Sequence, residues 1–383
     1  MATRIPALMI ALVAGCSGNG SHVDALVDLA TPDLPEIRLD QTVPWDQPRD
    51  QPVADLTGAD AFNGTWKVST VAGTGVQGFQ DGPAASAQFN SPSGIAVDGT
   101  GKVYVADTFN HRIRVISGGQ VTTLAGTGTA GFAEGVAATA QLNYPEGVAV
   151  DGAGKVYVAD ASNYRIRVIS SGQVTTLAGS GTKGFADGPA SSAQFDFVYA
   201  VAVDSVGKVY VVDMTQHRIR MIWSGQVSTL AGSTKGFADG PALSAQLNLP
   251  TGVASDSAGK VYIGDGDNER IRVVSGGQVS TLAGSGLKGF ADGPAFSAQF
   301  SYPHGLEPLG NGDVVVADTT NSRIRLISSG QVSTLAGTGT KGLVDGPADQ
   351  ARFETPCDVA VGSAGKIYVA DSGNNCIRLI EPQ

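Results

Sequence analysis

The chain contains few of the residue types on which metal centres and nucleic-acid surfaces depend. Its 383 residues include only four histidines and three cysteines. Basic residues number 25 against 35 acidic ones, and residues 62–383 hold 26 acids against 22 bases. Because a nucleic-acid surface needs a basic stripe to neutralise phosphates, we expect no nucleic-acid partner. After the first fifteen residues, no hydrophobic run is long enough to cross a bilayer.

Glycine, in contrast, is abundant. The chain has 52 glycines, too many for a helical protein, together with 42% hydrophobic residues, enough for a substantial core. This composition favours a turn-rich, all-β domain.

The amino terminus has the features of an export signal. Arg4 precedes a short apolar run, Ala7–Ala14, and the run ends at Gly15-Cys16. The segment Val13–Cys16 resembles the bacterial lipobox, which implies cleavage before Cys16 and acylation of its thiol. The alternative is an ordinary signal peptide in which the cysteine is incidental. We therefore expect a lipoprotein signal peptide over residues 1–15 and lipidation at Cys16, with the protein anchored in the bacterial cell envelope, though neither the membrane nor the leaflet is specified.

Residues 16–65 carry many prolines and aspartates without helical or strand periodicity. Such a composition predicts a solvated, disordered tether between the anchor and the remaining chain.

Residues 66–383 are dominated by an internal repeat. The segment Lys102–Asp107 recurs with its final aspartate at intervals of 53, 53, 52, 53 and 53 residues. Each unit contains four strand-like segments, as at Gly94–Asp98, Val103–Ala106, Arg112–Ile116 and Val121–Ala125. The strands are apolar and β-branched with little alternation, which indicates sheets packed on both faces, as in the blades of a propeller.

The two ends of the repeat region complement each other. The first strand, Trp66–Ala72, matches the fourth strand of a unit, whereas the last unit stops after its third strand, Cys376–Ile380. We expect the amino-terminal strand to complete the carboxy-terminal blade and close the ring. The fold class is therefore predicted as an all-β, six-bladed propeller, with a linear solenoid as the alternative.

The repeat resembles the NHL family. The segment Val103–Ile116, Val-Tyr-Val-Ala-Asp-Thr-Phe-Asn-His-Arg-Ile-Arg-Val-Ile, is close to the family signature, and linkers such as Gly184–Ala190 are similar to those of bacterial members. The resemblance implies the propeller fold. It does not imply one activity, because NHL propellers include scaffolds, RNA binders, sensors and a few enzymes.

Residues present in every blade are expected to have structural roles. The aspartates that end the second strands, such as Asp107, should accept amide hydrogens from a turn. The arginine pairs, such as Arg112 and Arg114, should form salt bridges between blades. In each linker, Asp81 and its counterparts are predicted to cap a short helix that covers the blade, with Ala84 and its neighbours facing inward.

Functional residues are expected where the copies differ on one shared face. The position just before each innermost strand should surround the channel mouth, and the residue there differs in every blade: Ser93, Glu146, Tyr199, Thr251, His304 and Cys357. Glu146 and His304 belong to opposite blades. Glu307 is a further candidate, because it replaces an alanine on an innermost strand and a carboxylate there needs a partner, water or a ligand. The alternative is neutral drift at exposed positions.

Cys357 and Cys376 are the only cysteines of the repeat region, and both belong to the last blade. Export makes a disulfide between them chemically possible. Their strands flank a third strand, however, and a separation near 10 Å would be too long for a bridge.

We expect the chain to be a monomeric, lipid-anchored binding or scaffold module without a cofactor, presenting one propeller face to an envelope protein, peptide or glycan. The alternative is a divalent-metal-dependent lyase or lactonase with its site in the channel mouth. His304 is the only histidine on the predicted ring, and catalytic zinc usually takes three protein ligands, so no metal site is assigned.

Overall fold

The computed structural model describes residues 65–383. The predicted signal peptide, the lipidation site Cys16 and nearly all of the tether lie outside the described residues. Within residues 65–383, the regular elements are β-strands and single 3₁₀ turns. No helix in this range has the length and apolar character needed to cross a membrane.

The strands form six antiparallel sheets of five strands each. Four strands per blade agree with the prediction, and a two-residue outermost strand is added to each sheet.
The innermost strands are Pro92–Val97, Pro145–Val150, Val198–Val203, Pro250–Ser255, Pro303–Pro308 and Pro356–Val361.
The second strands are Val103–Asp107, Val156–Asp160, Val209–Asp213, Val261–Asp265, Val314–Asp318 and Ile367–Asp371.
The third strands are Arg112–Ser117, Arg165–Ser170, Arg218–Trp223, Arg270–Ser275, Arg323–Ser328 and Cys376–Pro382.
The fourth strands are Gln120–Ala125, Gln173–Ala178, Gln226–Ala231, Gln278–Ala283, Gln331–Ala336 and, in the last blade, Trp66–Ala72.
The outermost strands are Gly82–Pro83, Gly135–Val136, Gly188–Pro189, Gly240–Pro241, Gly293–Pro294 and Gly346–Pro347.
The 3₁₀ turns are Ala84–Ser86, Thr108–Asn110, Ala161–Asn163, Met214–Gln216, Gly266–Asn268, Thr319–Asn321, Ser363–Gly365 and Ser372–Asn374.

The ring closes as the sequence predicts. Trp66–Ala72 pairs antiparallel with Cys376–Pro382, and Val68 faces Ile380 in the register. The innermost strand of blade six also contacts that of blade one. Closure pairs the third strand of the last blade, which would otherwise be an exposed sheet edge. The all-β, six-bladed propeller is therefore confirmed.

Each blade buries apolar side chains on both faces of its sheet. Tyr104 and Ala106 of blade one, for example, pack in one cluster with Val148 and Val156 of blade two. A strand that is covered on both sides needs apolar residues at successive positions, which explains the lack of alternation in the sequence.

The aspartate and arginine that recur in each repeat form a buried network within one blade. Arg114 is fully buried and contacts the carboxylates of Asp107 and Asp81, each at 2.6 Å. Asp107 also accepts the backbone N–H of Asn90 at 2.8 Å. The prediction that these arginines bridge neighbouring blades is wrong, because all these partners belong to the same sheet and the linker that leads into it.

The linker does not start a helix at Asp81. Both oxygens of its carboxylate are engaged, one by Arg114 and the other by the hydroxyl and backbone N–H of Thr123. Gly82, with φ of 124°, and Pro83 instead pair with the fourth strand as the outermost strand. The prediction of an Asp81 cap is therefore wrong, whereas Ala84 is buried as expected.

The two ends of the ring carry different turns. The turn joining the second and third strands meets the segment that leads into the innermost strand, since Phe109 donates its N–H to the carbonyl of Asn90 at 3.2 Å. We call this end the top face. The turns that join the first to the second strand and the third to the fourth lie at the opposite end, the bottom face.

Candidate functional site

The six unlike residues of the innermost strands meet on the propeller axis. Each is the second residue of its strand rather than the residue before it. All six are 5% exposed or less, and together they line a cavity of about 30 Å³, which we call the upper cavity. The six residues therefore come together around the axis as predicted. They are buried inside the channel, however, and do not form an exposed rim.
The six are Ser93, Glu146, Tyr199, Thr251, His304 and Cys357.

Small residues next to this set allow the strands to approach closely. A Cβ on Gly94 would lie 2.5 Å from the carbonyl oxygen of Glu146, and one on Gly252 would lie 2.2 Å from that of His304. These distances are too short for any side chain, so glycine is required here.

Ser93 and Glu146 form one polar pair in the upper cavity. The Ser93 hydroxyl donates to Oε2 of Glu146 at 2.7 Å, while Oε1 is buried without a hydrogen-bond partner. Burial raises the pKa of Glu146 to about 8, and the bond from Ser93 opposes this shift. At neutral pH the side chain is therefore mainly a protonated carboxylic acid.

Tyr199 and His304 form the second pair. The Tyr199 hydroxyl lies 3.3 Å from Nε2 of His304, and the two rings pack edge to face with centroids 5.1 Å apart. Burial lowers the pKa of His304 to about 3, opposed by a hydrogen bond with the Cys357 backbone. The imidazole is therefore neutral, and its observed side-chain partner is Tyr199 of blade three rather than Glu146 of the opposite blade.

The two remaining residues bond to nearby backbone. The Thr251 hydroxyl donates to the carbonyl of Pro303 in the next blade at 2.7 Å, and Sγ of Cys357 lies 3.4 Å from the carbonyl of Thr355. Cys376 is a free, buried cysteine, so the possible disulfide between Cys357 and Cys376 is not formed. The strand order explains this, because the second strand of the blade separates the two strands that carry them.

Two further carboxyls lie below this set. Glu307 lines a second axial cavity of about 140 Å³, which we call the lower cavity. Asp358 borders both cavities, and its oxygens accept the backbone N–H groups of Ile95 and Val359. Burial raises the pKa of Glu307 to about 8, with the nearby Asp358 adding to the shift, and raises that of Asp358 to about 7.

Sequence reasoning missed Asp358, although a signal for it was present. At this position the other blades have Gly94, Gly147, Ala200, Gly252 and Gly305. A carboxylate in place of a small residue at the tightest point of the axis is as unusual as Glu307 among alanines.

Sequence reasoning also missed a set of hydrogen bonds between blades on the top face. In each of them, which we call a clasp, a side chain of one blade accepts a backbone N–H of the next blade. Nδ1 of His111 accepts the N–H of Tyr144 in the next blade at 3.2 Å, and His217 accepts that of Leu249 at 3.1 Å. Asn375 makes the same contact to Ser91 at 2.9 Å. Two histidines that could have suggested a metal therefore serve as hydrogen-bond acceptors. Across the described residues, no group of three or more His, Cys, Asp or Glu is arranged to hold a metal ion.

The tips of the turns between second and third strands form a second variable set around the top face. Each tip is at least partly exposed, and the middle residue differs in most blades.
The tips are Phe109, Ser162, Thr215, Asp267, Thr320 and Gly373.

The closed ring of six four-stranded units, each with an added outer strand, defines a β-propeller. The NHL repeat model matches residues 89–116, 142–169 and 353–378, which lie in blades one, two and six. The chain is therefore an NHL-repeat propeller protein.

Related proteins are larger than this chain. It is 34% identical over 330 residues to Protein SUPPRESSOR OF QUENCHING 1, chloroplastic, of Arabidopsis thaliana, covering 79% of this chain and 31% of the relative. It is 27% identical over 336 residues to human NHL repeat-containing protein 2, covering 76% of this chain and 46% of the relative. The chain thus spans less than half the length of these relatives.

Solved structures share the fold. An auxiliary nutrient binding protein from Bacteroides ovatus superposes with a TM-score of 0.64 at 17% identity, covering 84% of this chain and 77% of that one. A gluconolactonase from Xanthomonas campestris gives a TM-score of 0.56 at 14% identity, covering 88% and 96%. At such identities the likeness concerns the fold alone.

Proposed function

We propose that this protein is a lipid-anchored, extracytoplasmic binding module whose top face recognises an envelope protein, peptide or glycan. The observation that carries the proposal is the concentration of differences between blades at one end of the ring. The buried Asp–Arg network and the linkers recur around the ring, whereas the turn tips and the axial residues beneath them change from blade to blade.

Differences of this kind suit recognition of an asymmetric ligand. A ring of six identical sites would offer six equivalent orientations, whereas Phe109 on one blade and Asp267 on another offer an aromatic surface and a charge at distinct places. Aromatic residues are enriched in protein interfaces and charged groups fix register, so the two tips supply complementary means of recognition. The propeller supports them on rigid strands, which limits the entropy lost on binding.

Two neighbours by fold are described as auxiliary nutrient binding proteins, which agrees with a binding role for this architecture. The lyase or lactonase alternative has less support, because the described residues offer no group of metal ligands and the fold likeness to a gluconolactonase carries no residue correspondence.

The anchor part of the proposal depends on Val13–Cys16. Metabolic labelling with palmitate in a bacterial host should mark the wild-type protein and should be lost in Cys16→Ser. Labelling that persists in the variant would contradict the anchor without affecting the binding proposal.

The binding part is tested by cross-linking the full chain to its partners in the envelope fraction and by a glycan array. Phe109→Ala and Asp267→Asn should each lose a partner that the wild type retains. Leu243→Ser is the matched control, because Leu243 is 65% exposed beside the turn that joins third and fourth strands, at the bottom face. A partner that tolerates both top-face changes but not the control would contradict the assignment of the face.

A further inference from the structure

The upper cavity is narrow, buried and lined by polar side chains from all six blades. Its volume is about 30 Å³. A cavity of this size holds about two water-sized particles, so it excludes an organic ligand. Its lining, which belongs entirely to the described part of the chain, contains no lysine or arginine. A positive charge inside this cavity would therefore have to come from a bound ion.

Glu146 places an unsatisfied oxygen in the lining of this cavity. The hydroxyl of Ser93 donates to Oε2 of Glu146 at 2.7 Å, whereas Oε1 is buried and has no hydrogen-bond partner. The whole residue is only 1% exposed, so bulk water does not satisfy this atom. Buried polar atoms without partners are uncommon in folded proteins, and an ion or an ordered water is the usual explanation. The missing partner of Oε1 is therefore a small particle inside the upper cavity.

Two of the hydroxyl groups in the lining already use their protons elsewhere. Ser93 donates to the side chain of Glu146, as described above. Thr251 donates to the carbonyl of Pro303 in the next blade at 2.7 Å. Each hydroxyl oxygen can still accept a hydrogen bond, because it has two lone pairs. Ser93 and Thr251 therefore offer the cavity acceptors and no protons.

The third hydroxyl, that of Tyr199, is committed to His304. Burial lowers the pKa of His304, and a hydrogen bond with the Cys357 backbone opposes this shift, as expected when a ring N–H donates to a carbonyl. The other ring nitrogen of the neutral imidazole is then an acceptor, and the Tyr199 hydroxyl lies 3.3 Å from Nε2. Tyr199 thus donates to His304 and leaves its oxygen as a further acceptor.

We propose that the upper cavity binds a single ammonium ion, which donates one hydrogen bond to Oε1 of Glu146 and the others to the hydroxyl oxygens of the lining. These oxygens belong to Ser93, Tyr199 and Thr251. An ammonium ion is similar in size to a water molecule, donates in every direction and carries the positive charge that the lining lacks. A water molecule has only two protons and no charge, so it satisfies fewer of these acceptors.

A divalent metal ion fits the cavity less well. Calcium takes about six to eight oxygen ligands, more than the carboxyl and hydroxyl oxygens named above provide. Across residues 65–383, no group of three or more His, Cys, Asp or Glu is arranged to hold a metal ion. The acceptors of the cavity are mostly neutral hydroxyls, which suit a singly charged hydrogen-bond donor.

Binding of ammonium should release a proton from Glu146. Burial raises the pKa of Glu146 to about 8, so this acid is mainly protonated at pH 7. A neighbouring cation favours the ionised form, and the affinity should rise by up to about tenfold per pH unit below pH 8. His304 stays neutral over this range, because burial lowers its pKa to about 3.
The other titratable groups in the lining are Tyr199 and Asp358, and burial raises the pKa of Asp358 to about 7.

Nuclear magnetic resonance of the full chain with isotope-labelled ammonium chloride tests the proposal directly. A buried ammonium ion exchanges slowly with solvent and should give a signal separate from that of free ammonium. The signal should strengthen between pH 6 and pH 8 at a fixed ammonium concentration. Absence of a bound signal at any ammonium concentration would overturn the proposal and leave water as the occupant of the cavity.

Unfolding at pH 8 and equal ionic strength provides a second measurement. Above the dissociation constant, each tenfold increase in ammonium chloride should raise the ratio of folded to unfolded protein by up to about tenfold. Tetramethylammonium chloride should have no such effect, because this cation has no N–H group and is too large for the cavity. Potassium chloride is the stricter control, since potassium is similar in size to ammonium but donates no hydrogen bond. Equal stabilisation by potassium and ammonium would overturn the proposal.

Three variants separate the site from a general effect on the fold. Glu146→Gln keeps the shape of the side chain and removes its charge, so the bound signal and the stabilisation by ammonium should both disappear. Thr251→Val keeps Glu146 and removes one acceptor, which should weaken binding by about five- to tenfold, the effect of one hydrogen bond. Glu134→Gln changes an exposed carboxylate and should bind as the wild type does. A bound signal that persists in Glu146→Gln would overturn the proposal, whereas the top-face function is tested by its own variants and is unaffected by this result.

Discussion

Glu146 should make the folded protein less stable as the pH rises. Its folded-state pKa of about 8 lies above the ordinary value of 4.5. A group with a raised folded-state pKa stabilises fully below the unfolded value and loses that contribution as the pH rises through the folded value. Each pH unit between the two values lowers the free energy of unfolding by about 1.4 kcal/mol, so the loss approaches an order of 5 kcal/mol at pH 9.

Glu146→Gln isolates this contribution, because the amide cannot ionise but keeps an oxygen that accepts from Ser93. The assay is guanidinium unfolding at several pH values between 5 and 9, followed by the fluorescence of the buried Trp66. The difference between variant and wild type should grow in favour of the variant as the pH rises. Ser93→Ala should extend the wild-type loss of stability to higher pH and make it larger in total, because the hydrogen bond from Ser93 opposes the raised pKa of Glu146. Parallel curves for wild type and Glu146→Gln would refute the reasoning.

Three further outcomes follow from contacts outside the cavities. Arg325→Ala should lower the free energy of unfolding by about 3–5 kcal/mol, because it leaves the buried Asp318 without its ion-pair partner. Lys67→Ala removes only an exposed ion pair and should change the free energy of unfolding by less than about 1 kcal/mol. Chemical denaturation of the two variants measures both values. His217→Phe should cost about 1–3 kcal/mol by leaving a backbone N–H of the next blade without an acceptor, and His217→Asn should restore most of it, because blade six uses asparagine there; equal losses would contradict the clasp. Deleting residues 1–73 should expose the third strand of the last blade and produce oligomers on gel filtration, and a monomeric, equally stable product would contradict the closure.

The closed ring could be predicted because the same sequence pattern occurs in six copies. The 53-residue period fixes the unit, and the matching deficits at Trp66 and Cys376 fix the closure. The Asp81 helix cap failed for a physical reason, since the sequence Asp-Gly-Pro-Ala suits a helix start locally but Arg114 competes for the carboxylate from 33 residues away. Local patterns do not reveal such tertiary competition.

The sequence allowed us to predict which residues line the candidate site, but not how deeply they are buried. Comparing equivalent positions found Glu146 and Glu307, and the same comparison extended by one position would have found Asp358. Burial could not be obtained this way, because it depends on how closely the innermost strands approach the axis. That distance is set by glycines such as Gly94, whose role is visible only when the neighbouring backbone is placed.

The location of the differences between blades follows from the architecture itself. The second and third strands lie within their sheet between neighbouring blades, so a change such as a charge at Val105 would leave a buried group without a partner. The innermost strand has one edge without a neighbouring strand, which is why Pro308 is tolerated there. In a propeller of near-identical repeats, residues that differ from blade to blade can therefore form a binding site only along the axis and at the turn tips. Glu307, Asp358 and the top-face turns occupy these permitted places, and their chemistry differs from that of their counterparts in the other blades.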